Sequence, residues 1–237
     1  MTVYVYAITD AGHPLAVDGA RGVGETPAPL RVVRGGSVAA VISDAPGKLR
    51  AKRRDLMMHQ EVTRSLSESG PVLPMRFGML AADDEAVRDV LAGHEAEFTG
   101  QLRAVEDRVE FNVKVLQDQD TALLEVLSQN DEARRLNALT RAGEGTHEDR
   151  VALGEIISAE VEARQSQLGE EIRRALRPLA FRESVGGPSG EAFFSLSLLV
   201  ERERAQECAA AVRKLADGFG HGVEFRLSGP LPPYSFV

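Results

Sequence analysis

Between residues 147 and 176 apolar side chains recur on one side of a helix. Leu153, Ile157, Val161, Leu168, Ile172 and Leu176 follow one another at spacings that keep a single face apolar while the remainder is charged. Thr146 is placed to cap this helix, Asp149 to close a capping box in its acidic form, and Pro178 ends it. A helix of about 30 residues is about 45 Å long at 1.5 Å per residue, more than a small domain is wide. The chain is therefore expected to hold two domains that this helix connects or lies across. The whole stretch 118–180 reads as helical, with a polar, glycine-containing interruption at 141–145.

Ahead of it the pattern mixes strands and helices. Thr2-Val-Tyr-Val-Tyr-Ala-Ile8 is β-branched and aromatic and apolar on both faces, which predicts a strand central in a sheet. Residues 9–29 carry three prolines and four glycines, a long loop of the kind that is functional or mobile in compact domains. Residues 30–33 and 37–43, hinged at Gly35-Gly36, predict a β-hairpin. A helix is expected over 52–68 with a partial stripe of Leu56, Met57, Gln60, Thr63, Arg64 and Leu66, stopped by Gly70-Pro71. Residues 72–77 read as extended, and Pro74 confines them to an edge or a bulge. Asp83 caps a helix expected to run to about 106, with Gly93 and Gly100 as places for a break. Residues 108–115 alternate Val109, Phe111, Val113 and Val115 against Arg108, Glu110, Asn112 and Lys114, a half-buried strand. These elements predict an α+β domain over 1–117, an antiparallel sheet with helices on one face and close to ferredoxin-like.

A helical connector over 118–178 follows, then a second, ferredoxin-like domain over 179–229, and an extended, proline-rich tail over 230–237. Strands are expected at 179–185, 192–200 and 223–228, with a turn at 186–190 and a helix over 202–219. The stripe Ala205, Cys208, Ala209, Val212, Leu215, Ala216 and Phe219 makes Cys208 a small core residue.

Composition excludes several classes of function. With 43% hydrophobic and 27% charged residues the chain is an ordinary globular sequence, and no apolar run approaches the ~20 residues that span a bilayer. The first residues lack a secretory signal, so a cytoplasmic protein without membrane attachment is expected. One cysteine excludes a disulfide framework. His13, His59, His94, His147 and His221 show no metal-ligand spacing, Gly19, Gly22 and Gly24 lack the lysine of a phosphate loop, and the many carboxylates read as solvated helix faces. No cofactor, metal or catalytic constellation is expected. A ligand-binding or regulatory module remains open, since ferredoxin-like domains often bind small molecules. Lys and Arg against Asp and Glu number 14 to 16 over 1–117 and 14 to 20 over 118–237, so the acidity sits in the second half of a chain of net charge −8.

Three segments stand out against that background. Lys48, Arg50, Lys52, Arg53 and Arg54 form a basic cluster without an interleaved aromatic. Base stacking has no platform there, so nucleic acid is not expected; a solvated loop or a face for an acidic partner is. In Leu73-Pro-Met-Arg-Phe-Gly78 an arginine, Arg76, sits in an apolar stretch, either paired to a carboxylate at an edge strand or reaching a partner. The ending Gly229-Pro-Leu-Pro-Pro-Tyr-Ser-Phe-Val237 is held extended by its prolines, yet Leu231, Tyr234, Phe236 and Val237 are apolar. It docks either into its own protein or onto a partner.

Taken in order, Tyr4-Val-Tyr-Ala-Ile8, Leu73-Pro-Met-Arg-Phe-Gly78, Val109-Glu-Phe-Asn-Val-Lys-Val115 and the ending resemble the gas vesicle protein F/L family (GvpF/GvpL) across essentially the whole chain. Ala7, Phe111-Asn112 and Leu231 depart from the residues common there, as packing changes. The resemblance implies an accessory or minor structural protein of gas vesicles, the gas-filled protein shells that give cells buoyancy. It implies binding of the small hydrophobic shell protein, GvpA, and of other accessory proteins during vesicle assembly, no enzymatic activity, and an N-terminal α+β domain joined through helices to a ferredoxin-like one. Lys48, Arg50, Lys52, Arg53, Arg54, Arg76, Tyr234 and Phe236 are the residues nominated for partner contact.

Overall fold

A computed structural model describes residues 1–237 except Ala16, Asp18, Ser189, Gly220 and His221. The chain divides into two compact units: residues 1–111, 199–205 and 229–237 make the first, and residues 112–198 and 206–228 the second. The chain path interleaves the units, where the sequence reading divided it into consecutive segments.

In the first unit, β1 (Val3–Asp10) lies between β3 (Val38–Asp44) and two short strands, β4 (Val72–Pro74) and β5 (Leu80–Ala81), while β2 (Arg31–Gly35) closes the hairpin with β3. The central placement of β1 agrees with its apolar sequence, and Pro74 falls on the sheet edge, where its missing N–H costs no ladder bond. The register between β1 and β3 slips between Val5 and Ala7. That bulge inverts the alternation, so Tyr4, Tyr6 and Ala7 share one face while Val3, Val5 and Ile8 share the other.

Both faces are covered, in place of the single face expected. Helix α1 (Arg53–Ser69) packs Val62 and Leu66 onto the tyrosine face. Helices α2 (Asp84–Gly93) and α3 (Glu95–Val105) pack Val87, Leu91, Leu102 and Val105 onto the opposite one. A strand buried on both faces requires this, which its uniformly apolar sequence already indicated. Asp83 caps α2 by accepting from the Ala86 N–H, and the expected long helix breaks at Gly93-His94 but not at Gly100. Arg31 grips Asp84 with two hydrogen bonds, 3.0 and 2.7 Å, and fixes the start of α2 over β2. The loop before β2 is tied down through Val23 and Leu30, both buried.

The second sheet has the order β7-β8-β6-β9, from β6 (Arg108–Gln117), β7 (Arg182–Gly186), β8 (Ala192–Glu201) and β9 (Val223–Leu231). With α4 (Gln119–Gln129), α5 (Asp131–Ala142), α6 (His147–Leu176) and α7 (Ala205–Gly218), the order β6-helices-β7-β8-α7-β9 is the split βαβ arrangement of a ferredoxin-like fold. Its first strand is β6, which the sequence reading placed in the preceding sheet. β6, β8 and β9 each contribute residues to both units.

In the second unit, α4, α5 and α6 enclose a core of Val126, Ala133, Leu136 and Leu153. Thr146 and Asp149 form the expected capping box, and a further break falls at Asn130, whose side chain caps α5. The C-terminal half of α6 buries Ile172 and Leu176, and Gly169 lies against the Phe194 ring, where a Cβ would stand 2.7 Å from the ring carbon. All of α6 falls within this unit, so its length serves a helical layer instead of joining two domains. Cys208 is fully buried.

Candidate functional site

The buried face of α1 is mostly polar. Asp55, His59, Thr63 and Ser67 accompany Val62 and Leu66 into the interior, while Met57 is 56% exposed and Gln60 and Arg64 face outward. Of the stripe read from the sequence, Thr63 and Leu66 are buried and Leu56 half-buried, while Met57, Gln60 and Arg64 are exposed. The apolar residues in α1 are too few to set the face, and hydrogen bonds set it instead.

His59 is the centre of this arrangement. Its Nε2 lies 2.9 Å from the Met75 carbonyl, so Nε2 carries the proton and donates. Its Nδ1, 2.9 Å from Tyr4 Oη, then accepts the tyrosine O–H, while Tyr4 Oη accepts the Gly78 N–H at 3.1 Å. Burial pulls the imidazole pKa down, partly offset by the Met75 carbonyl. Burial likewise pushes the Tyr4 and Tyr6 phenols up. Tyr6 Oη meets Ser43 Oγ at 3.1 Å and accepts the Val23 N–H at 2.8 Å. The rings of Tyr4, Tyr6, Phe77 and Tyr234 lie about His59 with centroids 5.7 to 6.3 Å from it.

The tail closes the same cluster. Tyr234 Oη lies 2.7 Å from Thr63 Oγ1, and the Ser235 N–H and hydroxyl donate to the Glu110 carboxylate at 2.7 and 2.6 Å. Phe236 joins the core beneath the sheet face that carries Val3 and Val5. Gly229 has φ +143°, and a Cβ there would lie 2.8 Å from the Glu110 carbonyl, so the chain turns into the tail on glycine. Of the two destinations open for the tail, it takes its own unit. Glu110 is fully buried, not solvent-facing as strand alternation predicted, because the tail supplies its donors.

The nominated residues fall in two groups. Lys48, Arg50, Lys52, Arg53 and Arg54 are exposed at the start of α1. Lys52 pairs with Glu25 at 2.6 Å and Arg54 with Asp55 at 3.0 Å, while Lys48, Arg50 and Arg53 make no ion pair among the described residues. Arg76 is exposed and, among the described residues, pairs with no carboxylate, so the paired edge-strand reading is replaced by a free guanidinium. Its neighbours Met79 and Leu80 are 45% and 48% exposed. Tyr234 is half-buried and bonded to Thr63, and Phe236 is buried. His59, Thr63 and Glu110 were missed, although His59 and Thr63 repeat at helical spacing with Asp55. Polar residues at that spacing read equally well as a wet face.

Among the described residues, no three His, Cys, Asp or Glu side chains gather as a metal set, and no helix is long and apolar enough to cross a membrane. His221 lies outside the described residues.

A ferredoxin-like unit and an α+β unit closed by its own C-terminal strap define a two-unit α+β protein. The chain belongs to the GvpL/GvpF family: the model for gas vesicle synthesis protein GvpL/GvpF matches residues 2–237. It is 43% identical to gas vesicle protein F of Streptomyces sp. (strain CB03234) over 100% of both chains. It is 30% identical to gas vesicle protein L of that strain, over 99% of this chain and 92% of the other. The crystal structure of GvpF from Microcystis aeruginosa shares the fold with TM-score 0.80 at 22% identity, covering 99% of this chain and 98% of that one. GvpF from Anabaena sp. PCC7120 gives 0.82 at 19%, covering 99% and 97%.

Proposed function

We propose that this chain is an F-type accessory protein of gas vesicles, working in the cytoplasm at growing vesicles, that binds the small hydrophobic shell protein GvpA and takes part in assembly without catalysing a reaction. The observation that carries the reading is end-to-end identity of 43% with a gas vesicle protein F, against 30% with the L protein of the same organism. A hydrophobic subunit awaiting assembly aggregates, and a soluble protein covering its apolar surface keeps it available by mass action. The exposed Arg76, Met79 and Leu80 offer a mixed cationic and apolar surface for that subunit, and the cluster of Lys48, Arg50, Lys52, Arg53 and Arg54 offers a second, charged one.

Complementation tests this reading. In a vesicle-forming actinobacterial host, expression of this chain restores vesicles to a strain lacking its F protein and not to a strain lacking its L protein. Restoration of the L-deficient strain alone contradicts the F-type assignment, and restoration of neither contradicts the assembly role.

A further inference from the structure

We propose that the surface formed by residues 48–54 at the start of α1 docks a carboxylate-rich segment of a protein partner. This names the partner chemistry for one of the surfaces nominated above and rests on that reading. Three observations converge here. Lys48 and Arg50 line an open cleft of about 580 Å³ together with Lys52, Glu25 and Pro46. Lys48, Arg50 and Arg53 are exposed and make no ion pair among the described residues, in a chain whose net charge is −8. Lys52, at the N-cap of α1, provides no side-chain cap, and Arg53 follows it in the first turn, where cations oppose the helix dipole. Asp55 supplies one carboxylate to that first turn and pairs with Arg54, while Arg53, and Lys48 and Arg50 just ahead of the helix, stay without one and are relieved by an incoming anion.

The cleft also contains an example of the anion it takes. Glu25 places its carboxylate 2.6 Å from Lys52 Nζ, and the hydrogen bond from Lys52, its charge and that of Arg54 hold the carboxyl below the ordinary range. The Glu25 side chain is 76% exposed, so this pair is weak and exchangeable, and a second carboxylate can enter beside or in place of it. No aromatic residue lies in 48–54 to stack a base, which favours an acidic protein segment over nucleic acid.

The test measures binding of a labelled oligo-glutamate peptide to the full chain, across ionic strength, with a single-stranded oligonucleotide of equal charge in parallel. Saturable peptide binding that weakens with salt, and that falls about tenfold or more in a Lys48→Glu, Arg50→Glu, Arg53→Glu variant, supports the proposal. The neutral variant K48Q/R50Q/R53Q gives a smaller loss and replaces the reversed one if that does not fold. A control reversing Arg174, Arg213 and Lys214, exposed on α6 and α7, leaves binding unchanged. Absence of peptide binding, an equal loss in the control, or tighter binding of the oligonucleotide than of the peptide overturns it. The probe is a peptide and not the shell protein, so its failure leaves shell-protein capture to be judged by its own assay.

Discussion

Tyr234 Oη lies 2.7 Å from Thr63 Oγ1, a contact between residues 171 apart in the chain. Through it the C-terminal strap is bonded to the helix that carries His59, and Thr63 Oγ1 also contacts the His59 carbonyl at 3.0 Å. The strap is thus bonded into the first unit, with Phe236 buried and Tyr234 half-buried.

Removing the strap's anchor is accordingly expected to unfold that unit readily. Phe236→Ala deletes a ring 7% exposed from the core with Val3, Val5 and Leu73, at a cost of about 3–5 kcal/mol. Tyr234→Phe removes only the hydroxyl and costs about 1 kcal/mol. Urea denaturation of the two variants checks the order, and equal midpoints for wild type and Phe236→Ala contradict the docked strap.

Glu110→Ala removes the buried carboxylate that accepts from the Ser235 N–H and hydroxyl; Ser235 itself is exposed, so the expected cost is that of losing the two charged-acceptor bonds, about 1–3 kcal/mol in all. Hydrogen exchange at the Ser235 amide reads this directly. Protection retained in Glu110→Ala refutes the carboxylate's role in holding the tail.

Gly229→Ala forces a Cβ into the Glu110 carbonyl and the Phe111 ring at a positive φ. A loss larger than about 1 kcal/mol is expected, since such backbone positions penalise any L side chain even without a clash. Thermal unfolding unchanged from wild type would show that the turn can relax.

Stability also depends on pH in a defined direction. Burial lowers the pKa of His59 and of His13 below the ordinary histidine value, so the unfolded chain binds protons that the folded one refuses. Their contribution is fully present above the unfolded pKa of about 6.5 and is lost as pH falls from there through the folded values. Denaturant midpoints are expected to drop between neutral pH and pH of about 5, and the drop is expected to shrink in His59→Gln. A pH-independent midpoint over that range contradicts the neutral tautomer assigned from Met75.

Much of this architecture was legible in the sequence because it rests on periodicity and punctuation. The apolar run of β1, the Gly35-Gly36 hairpin, the Asp83 cap and the Thr146 capping box each follow from local chemistry. What escaped depends on partners distant in sequence. Glu110 alternates as an outward residue until Ser235, 125 positions later, satisfies it. His59 reads as an isolated histidine until Tyr4 and Met75 close on its two nitrogens. The strand at 108–117 sits in the second sheet because it pairs with β8 and β9, a choice invisible from its own alternation. The surface candidates fared unevenly for the same reason. Exposure of the basic cluster follows from its charge, whereas the burial of Phe236 and the half-burial of Tyr234 depend on residues distant in sequence.

Under the proposed function this chain binds the shell protein. The most direct measurement is capture of purified GvpA from the same cell by the immobilised full-length chain, repeated with Arg76→Glu and with Lys48, Arg50 and Arg53 reversed. Saturable capture that weakens in at least one folded variant is the expected result. No retention of the shell protein by the folded wild-type chain, at any concentration at which the shell protein stays dispersed, would contradict it.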